Sequence, residues 1–133
     1  LELECEVLVP AAVDNVITTD NVDYIKARLV LEAANHPITP EADRILSEGG
    51  VTIVPDILVN ARGVIVSYFE WTQNIQEFHW EEGRVNEDLR KVFLRAYQDV
   101  RMRAMNEQIT RREASFEIGV QRVARSVELR GFL

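Results

Sequence analysis

Apolar residues change their rhythm near the middle of the chain, where short uniform runs give way to helical repeats. In the first half, Val7-Leu8-Val9 is closed by Pro10, Leu29-Val30-Leu31 ends in Glu32, and Val51-Thr52-Ile53-Val54 is closed by Pro55. Continuously apolar runs rich in β-branched residues suit strands of a parallel sheet covered on both faces. Between the first two runs, Thr19-Asp20-Asn21 offers cap-type residues ahead of Val22, Tyr24 and Ile25, which predicts a helix. Between the second and third, Thr39 can cap, Pro40 suits the first helical position and Glu41 complements the helix dipole; Gly49-Gly50 then ends the helix after Ile45 and Leu46. Strand, helix, strand, helix, strand is the order of an α/β layer with right-handed crossovers.

The second half is predicted helical throughout. After Gly63, residues Val64, Tyr68, Trp71, Ile75 and Phe78 recur at steps of four and three, an apolar stripe that reads as core or subunit interface. A second stripe runs through Val85, Leu89, Val92, Ala96 and Val100, widened by Phe93 and Tyr97, with Glu87 four residues before Lys91 on the outer face. Thr110-Arg111-Arg112-Glu113 spells a capping box, and the helix it opens carries Phe116, Val120, Val123 and Val127. No internal repeat or low-complexity linker divides the chain, so residues 1–133 are expected to form a single domain.

Composition removes several function classes. Hydrophobic residues make up 47% and charged residues 28% of the 133, proportions of a globular protein. Lys and Arg number 15 against 22 Asp and Glu, and a net charge of -7 argues against tracking a phosphate backbone, so nucleic acid is not an expected partner. No run approaches the roughly 20 apolar residues that span a bilayer, and the acidic start is unlike a signal peptide. Neither a membrane nor secretion is expected, and the chain reads as cytoplasmic. Cys5 is alone, and His36 and His79 are isolated in sequence, so no disulfide, metal set or nucleophile–base pair is expected.

Ligands of open α/β sheets bind beyond the carboxyl ends of the strands. The segments to inspect are therefore Pro10-Ala11-Ala12, Glu32-Ala33-Ala34-Asn35-His36-Pro37, and Pro55 through Gly63. By residue type alone, Asn35 and Asn60 read as turn residues tolerant of left-handed backbone, Ser67 as a small residue near a helix start, and Asp56 as a helix N-cap.

The same segments carry a family resemblance. Val7-Leu8-Val9-Pro10-Ala11-Ala12, Glu32-Ala33-Ala34-Asn35, Thr39-Pro40-Glu41-Ala42, Val54-Pro55-Asp56-Ile57-Leu58-Val59-Asn60-Ala61 and Gly63-Val64-Ile65-Val66-Ser67-Tyr68-Phe69-Glu70-Trp71 follow one another in order. In that order and spacing they resemble the C-terminal part of the glutamate, leucine, phenylalanine and valine dehydrogenases. Ser67-Tyr68-Phe69-Glu70-Trp71, Gln73-Asn74 and the closing Arg130-Gly131 are most similar to the glutamate-specific members.

The resemblance implies the second half of a Rossmann-like parallel sheet, about three strands with crossover helices, followed by three C-terminal helices. It implies NAD or NADP as cofactor and, in the complete enzyme, oxidative deamination of glutamate to 2-oxoglutarate and ammonia. In that setting Ala12 meets the nicotinamide ribose or ring through its backbone, Asn35 and Asn60 hold the nicotinamide end, and Ser67 donates a hydrogen bond to the side-chain carboxylate of glutamate. An amide both donates and accepts, as a carboxamide and ribose hydroxyls require.

Departures from the family pattern qualify these roles. Asn60-Ala61-Arg62-Gly63 stands where the family has Asn-Ala-Gly-Gly, and Glu32-Ala33-Ala34-Asn35 where it has Glu-Gly-Ala-Asn. Glycine lets a ligand approach the backbone, so Arg62 and Ala33 are candidates to obstruct the cofactor or distort the loop, unless Arg62 pairs with an anion. No Gly-x-Gly-x-x-Gly turn occurs; in the family it lies upstream of the part this chain resembles, as do the catalytic lysine and aspartate. No catalytic residue is therefore expected here, the isolated chain is expected to be inactive, and NAD cannot be told from NADP. Two readings stand: a dehydrogenase fragment completed by its N-terminal half or by further copies, or a non-catalytic module that keeps the fold, which Arg62 favours.

Overall fold

The computed structural model describes residues 1–131. Three parallel strands, β1 (Val7–Leu8), β2 (Leu29–Leu31) and β3 (Thr52–Val54), lie side by side in that order, with Val30 level with Leu8 on one side and Ile53 on the other. The apolar runs thus became strands where expected. Burial on both faces holds for the centre of the sheet, where Val30 is fully enclosed, but not for β1, where Val7 is 46% exposed. Among the described residues nothing pairs with the outer edge of β1, so the backbone groups on that side have no strand partner.

The first crossover corrects the expected helix. Only a single 3₁₀ turn, Val22–Tyr24, forms between β1 and β2. Asn21 accounts for this locally: its side-chain oxygen accepts from Thr18 N (2.9 Å) and its amide nitrogen donates to Val16 O (2.8 Å), closing a turn that competes with helix propagation. The same connection is tied to the next by a parallel bridge between Ile17 and Ile38. Ile17 is fully buried and joins Val22, Val30, Ile38, Ala42, Leu46 and Ile53 in the main core. The second crossover is the helix expected, α1 (Pro40–Glu48), which begins on Pro40 and is followed by Gly50 at φ 82°.

Beyond the sheet come α2 (Asp56–Val59), α3 (Ala61–Gln76), α4 (Glu82–Glu107) and α5 (Arg111–Leu129). The capping box at the head of α5 is formed, with Glu113 N donating to Thr110 Oγ1 (3.2 Å) and Thr110 N donating to Glu113 Oε2 (2.8 Å). Lys91 and Glu87 pair on the outside of α4 as their spacing implied. Val54, Leu58, Val100 and Ala114 make a second core, which seats α5 against β3 and α2.

Two helical stripes are not buried within this chain. No residue of α3 is enclosed; Val64 is 73% exposed and Trp71 57%, and Phe78 lies past the helix end, beyond Glu77 in the left-handed region. On α5 the inward face is Ala114 and Ser115, while Phe116, Val120 and Val123 point outward. Small side chains allow the close approach that seats α5, so the larger apolar residues at helical spacing lie on the surface.

In urea titration, Ile17→Ala should lower stability by about 2–5 kcal/mol, whereas Val123→Ser should change it by under about 0.5 kcal/mol. A large loss at Val123 would put that face inside the folded core. The open edge of β1 and the bare apolar faces should make the isolated chain self-associate, and a monodisperse monomer by light scattering would contradict this.

Candidate functional site

Past the carboxyl ends of the strands lies a cleft of about 920 Å³, lined by residues 11–15, by Ala33, Ala34, Asn35 and His36, and by Asn60. Backbone bonds lace its walls together. Ala33 N and Ala34 N both donate to Pro10 O (3.0 and 2.9 Å), and Asn15 N donates to His36 O (2.9 Å). Ala12, Asn35 and Asn60, three residues singled out by resemblance, are thereby brought to one place, and Asn60 Nδ2 donates to Asn35 Oδ1 at 2.9 Å. That bond leaves the amide nitrogen of Asn35 and the amide oxygen of Asn60 without a protein partner among the described residues. One donor and one acceptor side by side match the needs of a planar carboxamide.

Ser67 is not in the cleft wall. It sits exposed on α3, six residues beyond Ala61 and so about 9 Å further along the helix. Asn35 lies in a bend and Asn60 in the turn between α2 and α3, but neither takes the left-handed backbone that its residue type tolerates: Asn60 is right-handed (φ -75°, ψ -17°), and the left-handed positions of the cleft loops are Asn15 (φ 49°) and His36 (φ 47°).

Arg62 neither fills the cleft nor bends its loop. Its guanidinium lies 5.7 Å from the centre of the Phe93 ring, a cation–π contact with α4, while Asn60 and Gly63 continue the helical bonding with Asn60 N on Asp56 O (2.8 Å) and Gly63 N on Asn60 O (3.1 Å). Ala33 does lie in the cleft wall.

Asp56 is not the N-cap it resembles by residue type. Pro55 holds the cap position of α2, and the Asp56 carboxylate is drawn into a buried cluster under the cleft. There the Arg112 guanidinium donates to both oxygens of Glu32 (2.8 Å each), to Asp43 Oδ2 (2.6 Å) and to Asp56 Oδ1 (3.3 Å). Glu32 Oε2 also accepts from Asp56 N (2.9 Å), and Asp56 Oδ2 accepts from His36 N (2.9 Å). Sequence reasoning missed this cluster, since Arg112 and Glu32 are 80 residues apart. The one local signal was an acid closing an apolar strand run, at Glu32.

Glu32 is fully enclosed, and burial pushes its carboxyl above the usual range; hydrogen bonding and charge from Arg112 oppose the shift without cancelling it. Burial by itself lowers the Arg112 guanidinium, but its bonds to Glu32 and Asp43 more than restore it, so it stays charged. Among the described residues no group of three His, Cys, Asp or Glu is arranged to hold a metal ion. No helix of the described residues is long and apolar enough to cross a membrane.

A parallel sheet with crossover connections and a cleft at its carboxyl edge defines an α/β fragment of the Rossmann-like class. Residues 1–131 match the family model of the Glutamate/Leucine/Phenylalanine/Valine dehydrogenases. The NAD-specific glutamate dehydrogenase of Staphylococcus aureus (strain COL) is 50% identical over 131 residues, 98% of this chain and 32% of that protein. Among solved structures, the glutamate dehydrogenase of Peptoniphilus asaccharolyticus superposes with a TM-score of 0.89 at 42% identity, covering 94% of this chain and 32% of that one. The hetero-hexameric glutamate dehydrogenase of Thermus thermophilus, in its Leu-bound form, superposes with a TM-score of 0.93 at 32% identity, covering 97% of this chain and 31% of its own. The chain belongs to the Glutamate/Leucine/Phenylalanine/Valine dehydrogenase family and is similar to part of the glutamate dehydrogenases within it. It spans about a third of the length of the relatives it matches.

The Glu32 cluster gives the folded chain a definite pH signature. A carboxyl raised on folding holds its proton more tightly in the folded state, so its contribution is full below the ordinary value of 4.5 and is lost as pH rises through the raised value. In urea melts the stability of the unsubstituted chain relative to Glu32→Gln should therefore fall as pH rises from 4.5 toward neutrality. A difference independent of pH would mean that Glu32 titrates alike in both states.

Proposed function

We propose that this chain forms one wall of the nicotinamide site in an NAD(P)-dependent glutamate dehydrogenase. The complete enzyme oxidatively deaminates L-glutamate to 2-oxoglutarate and ammonia in the cytoplasm, and the isolated chain is inactive. The paired amides of Asn35 and Asn60 carry this reading, because they leave one donor and one acceptor free at the strand ends. In it, Asn35 and Asn60 hold the nicotinamide carboxamide and ribose, and the small side chain of Ala12 lets its backbone come close to them. A nicotinamide held there would supply the hydride acceptor for oxidation of the amino acid. Ser67, out on α3, donates to the side-chain carboxylate of glutamate once the rest of the enzyme faces that helix. Family members supply the base and the pyrophosphate-binding glycine turn from outside the span matched here.

The exposed edge of β1 and the stripe on α3 are surfaces for the remainder of the polypeptide or for further subunits. The hetero-hexameric assembly of the Thermus relative supports an oligomer. NAD is favoured over NADP because the Staphylococcus relative, at 50% identity, is NAD-specific. The alternative, a non-catalytic module that keeps the dehydrogenase fold, loses its main support, since Arg62 packs on Phe93 instead of entering the cleft.

Titration with NADH, followed by nicotinamide fluorescence with NADPH in parallel, should show saturable binding that favours NADH. Asn35→Ala and Asn60→Ala should each weaken it by about tenfold, the worth of one hydrogen bond of about 1–1.5 kcal/mol. Mixing the chain with the N-terminal part of a family member should restore glutamate-dependent NADH production. Binding to an intact dehydrogenase with no turnover in that mixture would favour the non-catalytic module.

A further inference from the structure

The two cleft asparagines are set from beneath by one residue, and it comes from the last helix. Asp56 is the junction. Its side chain accepts from His36 N (2.9 Å), next to Asn35, and its carbonyl accepts from Asn60 N (2.8 Å). His36 lies in the left-handed region at φ 47°, uncommon for a non-glycine residue, with its N–H held by Asp56. The Asp56 carboxylate takes its other direct support from Arg112 Nη1 (3.3 Å) and from Ile57 N (2.8 Å). Glu32, at the root of the loop that carries Asn35, is gripped by the same guanidinium through both oxygens and holds Asp56 N in turn.

We infer that Arg112 is the positioning residue of the cleft: through Glu32 and Asp56 it fixes the spacing of Asn35 and Asn60, and with it affinity for a nicotinamide dinucleotide. Arg112 does not line the cleft, so its influence on the asparagines passes through Glu32 and Asp56, while its third bond, to Asp43, ties it to α1. The planar fork of arginine serves three carboxylates at once, which the single ammonium of lysine cannot do with the same geometry. Affinity for the dinucleotide rests on the function proposed above; the positioning of the asparagines does not.

The test compares the unsubstituted chain with Arg112→Lys and Asp56→Asn, the second being close to isosteric in case the first fails to fold. Amide hydrogen exchange and NADH titration are measured on each. In both variants the amides of His36 and Asn60 should exchange about tenfold faster, while those of Thr39 and Thr52, bonded to Ile17 O and Arg28 O away from the cluster, keep their rates. The NADH dissociation constant should rise by about tenfold. Uniform acceleration of all four amides would reduce Arg112 to a stabilising ion pair and overturn the inference, as would cleft amides and NADH affinity within twofold of the original. If the unsubstituted chain binds no NADH, the nicotinamide reading fails, while selective exchange at His36 and Asn60 still upholds the positioning role.

Discussion

One guanidinium holds three acids together beneath the cleft. Glu32 closes β2, Asp43 lies on α1 and Asp56 opens α2, and all three are buried. Without a cation, like charges so placed would repel in a medium that screens them poorly, and each would lack the water it gave up. Arg112 answers all three from the first turn of α5, which the capping box has already set in place. The C-terminal helix is therefore joined to the sheet by directional bonds as well as by Ala114 and Ile118 packing near Val54 and Leu58.

The cleft inherits its rigidity from that arrangement. Its walls are loops, and loops keep a shape only when their backbone groups are committed. Here Pro10 O, His36 O and the Asp56 side chain, from three different segments, take the amides of Ala33, Ala34 and His36 in one loop and of Asn15 in another. Chemistry is left to short side chains on a firm backbone: a small Ala12 and two amides already bonded to each other. The outer surfaces are different in kind. The edge of β1, the stripe of α3 and the outward face of α5 are apolar and uncovered, as expected of a span that makes up about a third of its relatives.

Departures from the family pattern need not damage a site. Arg62 replaces a glycine beside the cleft, yet position 62 lies on the first turn of α3, where the side chain is free to turn toward Phe93. Gly63 beside it meets no atom within 4 Å where a Cβ would stand, so this stretch makes no close approach within the chain that demands glycine. Ala33 differs, since it lies in the cleft wall itself.

Much of the fold was legible in the residues: three strands from short apolar runs, α1 from Pro40 and its closing glycines, α5 from its capping box, and the family from five ordered motifs. These signals are local, depending on backbone preference and on neighbours within a few positions. What the chain order did not disclose was which faces find partners. Periodicity shows that Phe116, Val120 and Val123 share a side of α5, but only the folded molecule shows that Ala114 and Ser115 are on the buried side. Asn21 turned an expected helix into a single 3₁₀ turn through bonds to Val16 and Thr18 that its residue type permits without requiring. The cluster under the cleft depended most on the tertiary structure. A charge buried at position 32 is tolerable only because position 112 lies beside it, and that proximity belongs to the packing of α5 against the sheet, which no stretch of sequence contains.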